Sequence, residues 1–509
     1  MTRCFTNKFP SHLPGAILCP RLKSAIRNSA FLFIGCVLFH AAGTWNLPLV
    51  DRDEPRFAEA SREMIERSDY VIPYFNNHFR FDKPPLTYWA QVASYKIFGE
   101  NDFAARFPST IAAALTALSI FTWGLRMGGN RVAWWAAIVF TLSLQTFVHA
   151  KAAVADMWLV LFVTIAHWSG YELPRACLTN DDKRSTFNVQ RSTFDWLWWP
   201  IFYLSLALAF LAKGPIGWAP LLTVGSTIFF TGNKQAAKRF KFLRGLLLTL
   251  AAVALWGIPA LIQTHGEFFR TGIGLHVIGR SFRAMEGHGA NSLGVYLLLL
   301  PFYFVTVFAS FFPWSIKLPW LARRLWKKRD KIDNYLISGA AVIFVIFTLV
   351  KTKLPHYTLP AFPLLALLLA RHLAAAQCST RTFRNFAATA GVLLFCVALV
   401  VPSCVARFFP AADLFKQSRD DLVTGMEFGA VDFTEPSLVW CFRSRVKGFM
   451  TPLRRDSVGQ FMEQSGPRFV IVPTNLAPGS PSDWKRFSSH GVNVAKGKHV
   501  DLTLMLKPE

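Results

Sequence analysis

Apolar residues in this chain gather into long blocks, and charge is concentrated in the shorter stretches between them. The blocks lie near 29–50, 104–125, 132–150, 152–171, 196–212, 215–231, 243–263, 293–316, 333–350, 357–376 and 385–406. Runs of roughly 16 to 25 apolar residues match the helix length that crosses about 30 Å of hydrocarbon. The pattern therefore predicts a polytopic α-helical membrane protein with about 11 to 13 transmembrane helices. AFLFIGCVLFH followed by Ala41, Ala42 and Gly43 also has the outline of a signal peptide. The basic lead, residues 1–28, is long for a signal peptide, so this block is read as a first span behind an N-terminal tail.

Two regions break the pattern. Between the first and second blocks lies the stretch 51–103, far longer than a connection requires. Within it, Pro55 suits a helix start, and Phe57, Ala60, Met64 and Ile65 form an apolar stripe opposite Glu59, Arg62, Glu63 and Glu66. After Pro84 and Pro85, Leu86, Trp89, Ala93 and Ile97 repeat at helical spacing up to Gly99. Both segments read as helices lying in the membrane interface. From about residue 408, short β-rich runs replace the long blocks: SLVWCF (437–442), RFVIV (468–472) and DLTLML (501–506). These predict a small α/β domain over 408–509, outside the membrane and beyond a transmembrane domain of 29–407.

A net charge of +25 raises the question of a nucleic-acid partner, and the position of the charge answers it. Arg21, Lys23 and Arg27, then Lys234 to Arg244, then Arg323 to Lys331 all fall on one side of the expected spans. By the positive-inside rule that side is the cytoplasm, and an odd number of spans puts residues 408–509 on the outer face of the membrane. No nucleic acid is implied. The eight cysteines are scattered, with neither a CxxC pair nor metal-type spacing.

Ionisable residues at the outer ends of spans are costly there and hence informative. Asp51, Asp53, Glu54 and Arg56 cluster in DRDEPRF (51–57), and Asp82 and Lys83 precede the two prolines of RFDKPP (80–85). Asp156 interrupts an apolar block, with Lys151 as a structural partner in one reading. Lys213 ends the block before Gly214-Pro215, and His276 and Arg280 are spaced to share a helical face. Lys351, Lys353, His356 and Tyr357 lie together in KTKLPHYTLP (351–360). A phosphorylated lipid headgroup accounts for basic groups on the face where topology does not favour them.

In this order, the segments resemble the aminoarabinose lipid A transferases and their wider relatives, the protein-O-mannosyltransferase-like membrane glycosyltransferases of the GT-C fold. The specific part is DEPRFAEASREM (53–64) followed by FDKPPLTYW (81–89), with similarity running over roughly 30–375. The resemblance implies a sugar donor on a polyprenyl phosphate such as undecaprenyl phosphate, and inverting transfer to lipid A or another outer-face acceptor. Asp53, Glu54 and Asp156 become the catalytic set, and Arg56, Lys83, Lys213, Arg280, Lys353 and Tyr357 the donor-phosphate contacts. Asp82, where the family more commonly has Glu, and His276 become ligands for a divalent metal, Zn²⁺ before Mg²⁺ or Mn²⁺. No nucleotide is implied. Protein or polysaccharide acceptors, and a flippase for polyprenyl-linked lipids, remain alternatives.

Overall fold

The computed structural model describes residues 20–178, 195–279, 292–477, 479 and 483–507. Helix α1 (Pro20–Ala41) is followed by α2 (Asp53–Arg67), the short hairpin β1 (Tyr74–Phe75) and β2 (His78–Phe79), and α3 (Leu86–Phe98). Then come α4 (Asp102–Thr141), α5 (Leu144–His149), α6 (Asp156–Leu178), α7 (Trp198–Lys213), α8 (Ala219–Thr231), α9 (Lys234–Phe240) and α10 (Phe242–Gln263). A π-helical stretch, Phe268–Gly279, precedes α11 (Leu293–Leu298), α12 (Phe302–Ser310), α13 (Leu318–Lys327) and α14 (Lys331–Leu349). The 3₁₀ segment Pro355–Ala361 leads into α15 (Phe362–Ala375) and α16 (Thr380–Val405).

Among the described residues, five helical stretches are long and apolar enough to cross a membrane: Asp102–Thr141, Lys234–Gln263, Lys331–Leu349, Pro355–Ala375 and Thr380–Phe408. Ile26–Ala41, Trp198–Lys213 and Pro215–Thr231 are shorter apolar helices. Large apolar side chains such as Phe229, Phe230 and Leu255 stand exposed, as they do on a surface covered by lipid. The blocks 104–125 and 132–150 meet in α4, which departs from helical geometry at Gly128 and Gly129. Gly129 takes φ +75°, and a Cβ on Gly124 would come within 2.8 Å of the Ala133 Cα, so the two arms double back in close contact. The block 293–316 is broken into α11 and α12 around Leu299 to Pro301. The buried core is formed where α4, α6, α14 and α15 meet α1.

The C-terminal part comprises α17 (Pro410–Ser418), β3 (Glu427–Ala430), α18 (Pro436–Val446), β4 (Met450–Pro452), α19 (Val458–Glu463), β5 (Arg468–Pro473), β6 (Lys485–Asn493) and β7 (Lys498–Lys507). They make one five-stranded sheet in the order β4-β3-β5-β7-β6. β3 pairs in parallel with β4 and β5, and β7 runs antiparallel to β5 and β6. RFVIV and DLTLML lie in β5 and β7 as the alternation predicts. SLVWCF does not form a strand. Pro436 opens a helix there, and Leu438, Val439, Phe442 and Val446 are buried at helical spacing.

Candidate active site

Helix α2 begins with two acids at the positive end of its dipole, but their environments differ. Glu54 is buried, and its oxygens accept from the Arg106 guanidinium at 2.9 and 2.7 Å and from the backbone N–H groups of Val50 and Ala153 at 2.8 and 2.7 Å. Arg106 donates further to the carbonyls of Thr44, Leu47 and Pro48. Glu54 therefore ties the end of the first span to α4 and to the approach to α6. Asp53, one residue earlier, is exposed, and no hydrogen bond or ion pair reaches its carboxylate among the described residues. Arg56 likewise has no ion pair among them.

The polar face of α2 is not turned to water. Glu59, Arg62 and Glu63 are all at most 1% exposed, because α18 of the C-terminal part packs over them. Arg443 on α18 pairs with Glu59 and with Glu66 at 2.7 Å. Arg62 pairs with Glu59 at 2.7 Å and Glu100 at 3.1 Å, and its guanidinium lies 3.9 Å over the Trp440 ring. Asp51 accepts from the Ser437 N–H at 2.9 Å and its hydroxyl at 2.5 Å, and Asn76 exchanges two 2.8 Å hydrogen bonds with the Met450 backbone. An amphipathic pattern reads the same whether its polar side meets water or a second charged surface.

On the other side, Arg80 is buried against Tyr88, whose hydroxyl accepts at 3.0 Å, and pairs with Asp82 at 3.1 Å. The charge of Asp53 is felt at Arg80. Lys83 follows directly, and its charge reaches His356. His356 stands 3.9 Å from Asp156, which accepts from Lys213 at 2.5 Å. Lys213 lies 5.5 Å from the centre of the Tyr357 ring, and the His149 ring is 4.9 Å from that of His356. Asp156, Lys213, His356, Tyr357 and His149 thus form one contact cluster, and Asp53, Asp82 and Lys83 lie within electrostatic reach of Arg80 and His356.

The remaining expected residues fall elsewhere or outside the description. Lys353 is buried and donates to the carbonyls of Phe347 and Thr348 at 2.9 and 2.6 Å, capping the end of α14. Lys151 donates to the carbonyls of Phe39, His40 and Ala42, so the partner of Asp156 is Lys213. Arg280 and the side chain of His276 lie outside the described residues. Of the two metal ligands implied by the resemblance, Asp82 is thus the one described, and Arg80 already holds it. Arg106, His149 and Arg443 carry no signal in their own neighbourhoods; each gains its role from a residue distant in the chain.

Residues 82–181 match the family model described as dolichyl-phosphate-mannose-protein mannosyltransferase, a stretch that contains Asp82, Lys83, His149 and Asp156. The solved structure of ArnT from Cupriavidus metallidurans bound to undecaprenyl phosphate superposes with a TM-score of 0.74 at 18% identity, covering 94% of this chain and 98% of that one. Its apo state gives 0.71 at 19% identity. The chain therefore has the fold of that structure, a bundle of long apolar helices followed by a small C-terminal sheet.

In sequence, the chain is 30% identical to the undecaprenyl phosphate-alpha-4-amino-4-deoxy-L-arabinose arabinosyl transferase 2 of Sodalis glossinidius, over 65% of this chain and 56% of that enzyme. It is 29% identical to the corresponding transferase of Pectobacterium carotovorum, over 69% and 59%, so the match spans under two thirds of these named enzymes. An uncharacterised protein of Aquifex aeolicus is 27% identical over 75% of this chain and 81% of its own length. The resemblance seen in the motifs thus extends over most of the chain.

Proposed function

We propose that this chain is a glycosyltransferase that takes a sugar from a polyprenyl-phosphate carrier and transfers it to lipid A or another acceptor on the outer face of the bacterial inner membrane. The observation that carries the reading is an exposed acid, Asp53, with no hydrogen bond or ion pair among the described residues, within electrostatic reach of the basic Arg80, on the architecture of ArnT. The similarity to undecaprenyl-phosphate arabinosyl transferases supports a polyprenyl-phosphate donor. The distribution of Lys and Arg among the loops supports the outward-facing orientation.

In this reading the lipid phosphate is the leaving group, and the charge it gains must be met by fixed cations. Arg56 and Lys83 are disposed to meet it, with Lys213 held in place by Asp156 and Tyr357 beside it. A hydroxyl acceptor would lose its proton to Asp53 as it attacks the anomeric carbon from the face opposite the phosphate, which inverts that centre. A phosphate acceptor is already ionised, and Asp53 then orients it. Glu54 acts by position: its four hydrogen bonds fix the start of α2, and with it the direction of Asp53.

The test is reconstitution of the purified chain with polyprenyl-phosphate sugar and lipid A, followed by mass spectrometry of both pools. Donor consumption with a matching mass gain on lipid A is the expected result. Consumption without that gain keeps the transferase and redirects the acceptor to protein or polysaccharide. Donor bound but never cleaved would overturn the reading.

A further inference from the structure

The polar region holds a second grouping whose chemistry the phosphate contacts do not explain. His149 ends α5, Asp156 opens α6, and His356 sits in the 3₁₀ segment directly after Pro355. One ligand atom from each lies within 4.8 Å of the others. The His356 Nε2 to Asp156 Oδ1 separation of 3.9 Å is too long for a hydrogen bond. It is close to the separation of roughly 3.3 Å between two ligands bonded at about 2.0–2.1 Å to one tetrahedral metal.

The surroundings of these groups are those of metal ligands. The His149 Nδ1 lies 2.9 Å from the Gln145 side-chain amide nitrogen and 3.2 Å from the Gln145 carbonyl oxygen, and in the tautomer that donates to the carbonyl Nε2 carries the free lone pair. Coordinating imidazoles are commonly held by such a bond from their other nitrogen, and coordinating carboxylates by an outer donor. Lys213 is that donor for Asp156, at 2.5 Å. Two imidazoles and a carboxylate are a ligand set suited to Zn²⁺, and three protein ligands leave a position open.

We propose that His149, Asp156 and His356 form a site for a divalent transition metal, with its open position facing the region that contains Lys83 and Tyr357. The site differs from the pair implied by family resemblance, Asp82 and His276. Its existence does not depend on the glycosyltransferase reading, but its use as an anchor for a phosphate oxygen rests on that reading.

The experiment uses the full chain in detergent, stripped with chelator and reloaded with Zn²⁺ alone. Metal content and zinc X-ray absorption of the wild type are measured first. The expected result is one tightly held Zn²⁺ whose first shell contains two imidazoles. A single imidazole, or no retained metal, overturns the proposal without recourse to any variant. His149→Ala and His356→Ala, compared at matched thermal stability, are expected to weaken Zn²⁺ binding at least about 10-fold, while Asp82→Asn and His276→Ala leave it unchanged. The reverse pattern would move the metal to the outer loop and refute the site. Activity is read separately, so failure of sugar transfer with Zn²⁺ correctly bound would count against the transferase reading alone.

Discussion

Two groups of charged residues meet at helix α2, and they are built on opposite principles. Over its middle turns, Glu59, Arg62, Glu63 and Arg443 are dry and closed on one another, and Glu54 and Arg106 form a second sealed pair. At its first turn and beyond, Asp53 and Arg56 have no ion pair among the described residues, and the neighbouring acids and bases remain partly open. A charge sealed against its complement holds position, because exchanging that partner for a substrate would strand a buried ion. A charge with room beside it can meet substrate. The adjacent residues Asp53 and Glu54, chemically almost alike, are separated into these two roles by what surrounds them.

The largest effect expected on this contrast comes from opening the sealed side. Arg443→Ala removes a buried counterion that Glu59 shares with Arg62 and should cost about 3 kcal/mol of local stability. Limited proteolysis is the check: the C-terminal part should become cleavable around 407–425, and unchanged resistance would break the comparison. Next, Asp53→Asn should reduce turnover about 10²–10⁴-fold if the acceptor is a hydroxyl. The melting temperature should stay within about 1 °C of wild type, since exposed substitutions without partners rarely exceed about 0.5 kcal/mol. A large loss of stability would assign Asp53 to the sealed group. Arg56→Gln should raise the donor KM by roughly 10- to 100-fold, the range of one hydrogen bond to a charged group, with kcat changed less.

The smallest effect lies at the seam between the two groups. Burial pushes the Asp51 carboxyl up to about 6. A carboxyl raised in the folded state contributes stability that is complete below its ordinary value of about 4. That contribution is lost as pH rises through about 6. Asp51→Asn should therefore gain on the wild type by about 1–3 °C as pH is taken from about 5 to about 7.5, measured by thermal melting in one detergent. A difference that does not vary with pH would show that Asp51 does not titrate at this interface.

Much of this arrangement was legible from residue order. Hydrophobic blocks located the helices of the bundle, and DEPRF and FDKPP located the start of α2 and the approach to α3. Local patterns carried no information about what covers a polar surface. Glu59, Arg62, Glu63 and Glu66 read as a wet face because their partner, Arg443, lies far along the chain in a segment that itself resembled a strand. Lys353 carried the charge expected of a phosphate contact, but the nearest acceptors for a buried ammonium were the last carbonyls of α14. His149 and His356 belong to unrelated stretches, and their proximity depends on how α5 and the 3₁₀ segment end.

The contact between α2 and α18 also sets an order of events during synthesis. Glu59 leaves the ribosome 384 residues before Arg443, its counterion in the finished molecule. At bacterial elongation rates the gap is roughly 20–80 s. Throughout that interval the early helix carries an acidic flank with its late partner still unmade, while the bundle assembles around it. A nascent chain interrupted between residues 408 and 443 would keep its spans and its motif acids but leave Glu59 with Arg62 as its one early counterion among the described residues.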